Sequence, residues 1–257
     1  MTTRSIFQRF RVLGFSLLLA ASSVLGSAAD PQPLFNGVDL TGWEIWVGER
    51  GENTKPADLF QVADGMIHTY PIQEPNSSQP FAGIVTERSY SRYVLKLEYR
   101  WGEAKFAPRD QMVRDAGVLF HLHEEGNIWP ASVECQIQEG DTGDIWAISS
   151  RVTSTVQNVI RNYSANGKSV TRGGKDTRFA RFHRSYDWEQ PGWNQLKIIV
   201  DGTTAEFWLN GKKVNAITNM ERWDEETGAY IPLTSGRILL QAEGAQLSYR
   251  NITIEAL

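Results

Sequence analysis

The feature that most constrains the fold of this chain is alternation with a period of two. Tyr93-Val94-Leu95-Lys96-Leu97-Glu98-Tyr99-Arg100-Trp101 alternates apolar with polar side chains, and residues 194–200 and 247–254 do the same. Successive side chains of a strand point to opposite faces, so such runs suit an antiparallel sheet with one buried and one wet face. Asp64-Gly65, Asp201-Gly202 and Asn210-Gly211 separate runs of this kind. Such dipeptides accept the positive φ angles of a two-residue hairpin turn. No long helical stripe and no repeat of 20–50 residues competes with this pattern. Short strands at this spacing predict an all-β sandwich or barrel.

The first 29 residues read differently. Arg4, Arg9 and Arg11 precede an uncharged apolar run over residues 12–26, and Ser27-Ala28-Ala29 supplies small residues before Asp30. This is the layout of a cleavable export signal. The run is short for a membrane span, although an uncleaved anchor is the other reading. No Cys lies in or just after it to carry a lipid. The expectation is a signal peptide over 1–29 and a single exported domain over 30–257, periplasmic or secreted. The signal takes three of the 26 Lys and Arg and none of the 30 Asp and Glu, which leaves a net charge of −7. That balance argues against nucleic acid or an anionic membrane as partner. The one cysteine, Cys135, excludes an intramolecular disulfide and reads as a buried small hydrophobe. The nine Trp and eight Tyr fit a sandwich core, and their flat faces also suit sugar rings.

Residues 140–192 break the alternation. They are polar, rich in Gly, Ser and Asn, and carry Arg151, Arg161, Lys168, Arg172, Lys175, Arg178, Arg181 and Arg184. A long inserted loop region is expected here, as a solvated insertion or as a lid or rim over a cleft.

Three strand-like runs carry the candidate chemistry. In 133–138, Val133, Cys135 and Ile137 share one face, and Glu134, Gln136 and Gln138 share the other. In 117–123, Val118, Phe120 and Leu122 oppose Gly117, Leu119, His121 and His123. Near the C-terminus, Ile238, Leu240 and Ala242 oppose Leu239, Gln241 and Glu243. Each polar row alone reads as a wet sheet face. Together in one sheet, they would converge on a pocket of His, Glu and Gln. Glu139 and Asp141 follow the first row, where a cleft rim would lie. His121-x-His123 has metal-ligand spacing, so a divalent ion held there is a second expectation.

The chain resembles the 3-keto-disaccharide (3-keto-glycoside) hydrolase domain family from Pro33 to Leu257. The resemblance is carried in order by Leu34-Phe35-Asn36-Gly37-Val38-Asp39-Leu40-Thr41-Gly42-Trp43, Asp64-Gly65, Asp115-Ala116-Gly117-Val118-Leu119-Phe120, Val133-Glu134-Cys135-Gln136-Ile137, Gly192-Trp193-Asn194, Leu209-Asn210-Gly211, Gly236-Arg237-Ile238-Leu239-Leu240-Gln241 and Tyr249-Arg250-Asn251-Ile252. It implies a concanavalin A-like jelly-roll sandwich of two antiparallel sheets, with a concave sugar-binding sheet. Two positions depart from the family pattern. Asp115-Ala116-Gly117 stands where Asn-Ser-Gly is usual, and Ala242-Glu243-Gly244 where a His-Gly pair often follows Gln241. Glu243 thus replaces an imidazole.

A 3-keto sugar opens a route that ordinary glycosidases lack, because the ketone acidifies the C2 proton. A base removes it, the enolate expels the C1 substituent, and water can then add. The site needs a base, an acid for the leaving oxygen, and donors or a metal for the enolate. The expected roles are Glu134 as base or metal ligand and Glu139 or Asp141 as acid. His121 or His123 is expected as metal ligand or proton carrier. Gln136, Gln138, Gln241, Glu243 and Trp146 are expected to line the sugar site. A non-catalytic carbohydrate-binding module, with Trp101, Trp129 or Trp146 as platforms, is the alternative from another class. A conventional endo-glycosidase is the third reading, and it would need a second carboxylate.

Overall fold

A computed structural model describes residues 30–48, 55–157 and 162–257. The expected signal segment lies outside these residues, as does Arg161. The elements in order are β1 (Gln32–Pro33), β2 (Trp43–Val47), the short helix α1 (Pro56–Leu59), β3 (Phe60–Ala63), β4 (Met66–Thr69), β5 (Ala82–Thr86), β6 (Arg92–Lys105), β7 (Asp115–Leu122), β8 (Ser132–Gln138) and β9 (Ile145–Ile148). Then come β10 (Arg151–Val156), β11 (Lys168–Gly173), β12 (Phe179–Phe182), β13 (Asn194–Asp201), β14 (Thr204–Leu209), β15 (Lys212–Asp224), β16 (Ala229–Pro232), β17 (Arg237–Ala242) and β18 (Ala245–Ala256).

Among the described residues these strands make two antiparallel sheets. The seven-stranded sheet runs β12-β9-β8-β7-β17-β5-β2. The larger one runs β11-β10-β15-β14-β13-β6-β18-β4-β3, with β1 on β18 and β16 on β15. The predicted jelly-roll sandwich is the observed fold. Its core lies between the sheets. Val118, Phe120, Val133, Cys135, Ile137, Ile238 and Leu240 face Leu95, Leu97, Ile198, Phe207 and Tyr249, all buried. Phe120 meets Phe207 edge-on at 6.0 Å between ring centres. Each such side chain, fully buried, contributes about 1.5–3 kcal/mol. Burial also pushes the Cys135 thiol well up, as suits an inert core residue.

The turns follow the local sequence. Ala63 pairs with Met66 across Asp64-Gly65, and Leu209 with Lys212 across Asn210-Gly211. All four turn residues have positive φ. At the third turn the centre is displaced by one residue from Asp201-Gly202. Asp201 pairs with Thr204, so Gly202-Thr203 form the loop, with Gly202 at φ 59°.

The 140–192 segment is not a structureless insertion. It contributes β9 and β12 to the smaller sheet and β10 and β11 to the larger. Within it β10 alternates in burial, whereas β11 is exposed along much of its length and β12 is an edge. The segment nonetheless forms one rim of the cavity described below.

A candidate acid–base pocket on the seven-stranded sheet

The outer face of the smaller sheet carries the predicted polar rows. Register places Asp115 beside Gln138, Gly117 beside Gln136, Leu119 beside Glu134, and Glu134 beside Trp146. The same face is apolar at Val85, Leu119, Leu122, Ile148 and Leu239. Trp46, Trp129 and Trp146 pack on that patch. Above it lies a cavity of about 530 Å³. Its floor is Asp115, Glu134, Gln136 and Gln138, with Arg109, Trp129 and Glu243 on one side and Trp146, Arg178, Phe179 and Arg181 on the other. A second cavity of about 810 Å³ adjoins it, sharing Trp129 and Arg178.

Gly117 has a steric role here. A Cβ at this position would collide with Glu134 Oε1 and Gln241 Oε1, so the absence of a side chain makes room for both. Glu243 stands just past β17, where Gly244 at φ 76° turns the chain.

Three carboxyl groups are almost fully buried on this face: Asp115, Glu134 and Glu243. Arg109 bridges two of them, pairing closely with Asp115 and placing Nη2 3.1 Å from Glu243 Oε2. Asp115 also accepts from Gln136 Nε2 and, at 2.9 Å, from Gln138 Nε2. Burial raises its pKa, and the Arg109 charge and the Gln138 amide oppose the rise. With the most donors of the three, Asp115 holds its charge most firmly. Glu243 accepts from Trp129 Nε1 at 2.6 Å. Burial, then the Asp115 charge, push its pKa up to about 8 against Arg109 and the indole bond. Glu134 differs from both. Neither of its oxygens accepts a hydrogen bond from a described residue, and burial, then the Glu243 and Asp115 charges, hold its carboxyl well above the usual range.

The sequence-predicted residues divide. Glu134, Gln136, Gln138, Glu243 and Trp146 meet at the cavity. Gln241 lies fully buried beneath it. The Gln136 amide nitrogen is committed to Asp115 and the Ala116 carbonyl. Glu139 and Asp141 are not brought to the cavity. Gly140 at φ 82° turns the chain at the strand end. Glu139 pairs with Arg114 at 2.7 Å, which lowers its pKa. Asp141 pairs with Arg184 at 2.7 Å and Arg181 at 3.0 Å. Asp141 therefore helps to fix Arg181 and does not face the floor.

The histidines leave the row as well. Phe120 and His121 together oppose Ile238 in a bulge, since the pairing of β17 with β7 passes from Arg237–Leu122 to Leu239–Leu119. His121 has φ 54°, and its Nε2 lies 2.9 Å from the Gly202 carbonyl of the other sheet. Burial depresses its pKa to about 4. His123 Nδ1 lies 3.2 Å from the His121 carbonyl. No cluster of three His, Cys, Asp or Glu among the described residues could hold a metal ion, so the predicted histidine metal site does not fit. Of the possible aromatic platforms, Trp129 and Trp146 line the cavity. Trp101 bonds Glu189 at 2.7 Å from the other sheet.

Asp115, Arg109, Arg178, Phe179 and Arg181 escaped the sequence reading as site residues. Asp115 was accessible, lying two residues before Gly117 on the same strand face. The others come from a loop and from edge strand β12 with its approach, where no local pattern marks them.

The fold and this pocket define a carbohydrate-active, glycoside hydrolase-like enzyme on a jelly-roll sandwich. Residues 30–255 match the model of the 3-keto-alpha-glucoside-1,2-lyase-like domain, and the chain belongs to that family. No curated protein matches the chain. Among solved structures, a proposed glycosyl hydrolase from Parabacteroides distasonis ATCC 8503 is similar at TM-score 0.54 and 22% identity, covering 88% of this chain and 94% of its own. A Bacillus licheniformis β-glucanase is similar at TM-score 0.45 and 11% identity, covering 90% and 99%. A carbohydrate-binding module from Bacillus subtilis is similar at TM-score 0.47 and 11% identity, covering 84% and 96%. At 22% identity the likeness to the Parabacteroides structure is one of fold. No helix among the described residues is long and apolar enough to cross a membrane.

Proposed function

We propose that this enzyme cleaves the glycosidic bond of 3-keto-glycosides by removing the C2 proton. The observation that carries the reading is the juxtaposition of Glu134, which lies on the cavity floor and takes no hydrogen bond from a described residue, with a second buried carboxyl, Glu243, at the cavity side. Burial raises the proton affinity of both groups, and their mutual repulsion disfavours the doubly charged state.

Arg109 and Arg181 favour the ionised form of Glu134. In the state where Glu243 holds the one proton of the pair, ionised Glu134 takes the C2 proton, and the C–H electron pair moves into a C2–C3 enolate. The enolate collapses to restore the ketone, C1=C2 forms, and the C1–O bond breaks. Glu243, with a pKa of about 8, retains a proton near neutral pH and gives it to the departing oxygen. The products are an unsaturated 3-keto sugar and a free alcohol, and water adding across C1=C2 completes a hydrolysis. Arg109 and Arg181 supply positive charge for the enolate. Trp129, Trp146 and Phe179 offer flat faces to the ring, and the adjoining cavity gives the leaving group its place.

Residues 1–29 support action outside the cytoplasm, and N-terminal sequencing of exported protein should start at Asp30. The reaction is tested with purified protein, 3-keto-glycosides and their unoxidised parents, with and without chelator. Cleavage of the keto form alone is expected. A carbohydrate-binding module would hold the sugar and release nothing.

A further inference from the structure

Gln241 is fully buried, and its Oε1 has no hydrogen-bond partner among the described residues. A buried acceptor left unpaired is costly, so one beside a reacting group calls for a reason. The Gln241 side chain is anchored by Nε2, which donates to the Ile128 carbonyl at 3.3 Å. Exchanging oxygen and nitrogen would set two carbonyl oxygens against each other at that point, so the bond fixes which end faces inward. Oε1 then shares with Glu134 Oε1 the space over Gly117 that a Cβ would fill. Two acceptors stand close together there with no donor from a described residue between them.

We propose that Gln241 is a positioning residue for the proton transfer: its Oε1 gains a hydrogen bond only when Glu134 has taken a proton. The inference rests on the reading of Glu134 as the base. An ionised Glu134 offers Gln241 nothing. Once Glu134 takes the C2 proton, its new O–H donates to Gln241 Oε1 and satisfies the orphaned acceptor. The bond exists after transfer and not before, so it strengthens Glu134 as a base without adding to substrate binding. Burial of Glu134 acts in the same direction.

The test needs no substrate for its first readout. Infrared spectra of the free protein are recorded across pH for wild type, Glu134→Gln and Gln241→Met. Wild type should show a protonated-carboxyl band that is missing in Glu134→Gln. In Gln241→Met that band should move to higher frequency and vanish about one pH unit lower, the size of one net hydrogen bond. Gln241→Asn, which keeps the amide but withdraws it by one methylene, should move the band in the same directions if the Met variant does not fold. With a 3-keto-glycoside, Gln241→Met should lower kcat about tenfold and leave KM unchanged. A Glu134 band identical in frequency and titration in wild type and variant would overturn the proposal. A wild type inactive on 3-keto-glycosides, with the band behaving as expected, would sink the proposed reaction and leave the Gln241–Glu134 bond standing.

Discussion

Trp129 donates its indole N–H to Glu243 at 2.6 Å. The bond ties the residue proposed as acid to the ring that separates the two cavities. Phe81 meets that ring edge-on at 5.5 Å from the side of the larger cavity. In the proposed reaction this one side chain would align leaving group and proton donor.

Trp129→Phe keeps an aromatic ring and deletes the donor. The indole bond lowers the Glu243 pKa, so its loss should raise it. The alkaline limb of the pH–rate profile should shift upward. kcat/KM should fall between about tenfold and a hundredfold, as for a lost bond to a charged group.

The wild-type profile should be bell-shaped, with a limb near pH 8 from Glu243, far above an ordinary carboxyl. Glu243→Gln should abolish that limb. Its activity should return in part with substrates whose leaving group needs no proton, such as a nitrophenolate. Initial rates across pH on both substrate types check this.

Stability should fall as pH rises. Glu243 has a folded pKa of about 8 against an ordinary value of 4.5. Below the ordinary value both states carry the proton, and the full stability is present. Between the two values only the folded state binds it, so each pH unit removes about 1.4 kcal/mol through this group. Denaturant unfolding from pH 5 to 8 should show the slope, and Glu243→Gln should flatten it.

Gly117→Ala places a methyl group against Glu134 and Gln241 at once. Overpacking of this kind costs about 1–3 kcal/mol. Activity should fall more steeply than stability, because the two oxygens are driven from the positions they need. Chemical denaturation beside kcat measures the contrast.

Much of this site can be read from alternation alone. Glu134, Gln136 and Gln138 face out because Val133, Cys135 and Ile137 must face in, and Gln241 follows from Ile238 and Leu240 in the same way. The rule fails where the backbone leaves the strand. His121 at φ 54° shifts the row, and Gly140 turns Glu139 and Asp141 aside. Arg109 and Arg181 carry no local signal. Arg109 comes from a loop, and Arg181 reaches the cavity side only because edge strand β12 pairs Arg181 with Trp146. The polar composition of 140–192 suggests a loop because β11 is exposed along much of its length.

The central claim is that Glu134 removes the C2 proton of an oxidised sugar. The most direct measurement follows alcohol release from a 3-keto-glycoside carrying hydrogen or deuterium at C2, by wild type and by Glu134→Gln. Slower release from the deuterated substrate is expected in wild type, with a loss of at least about a thousandfold in the variant. Equal rates for the two isotopes together with a Glu134→Gln variant of near-wild-type activity would contradict it.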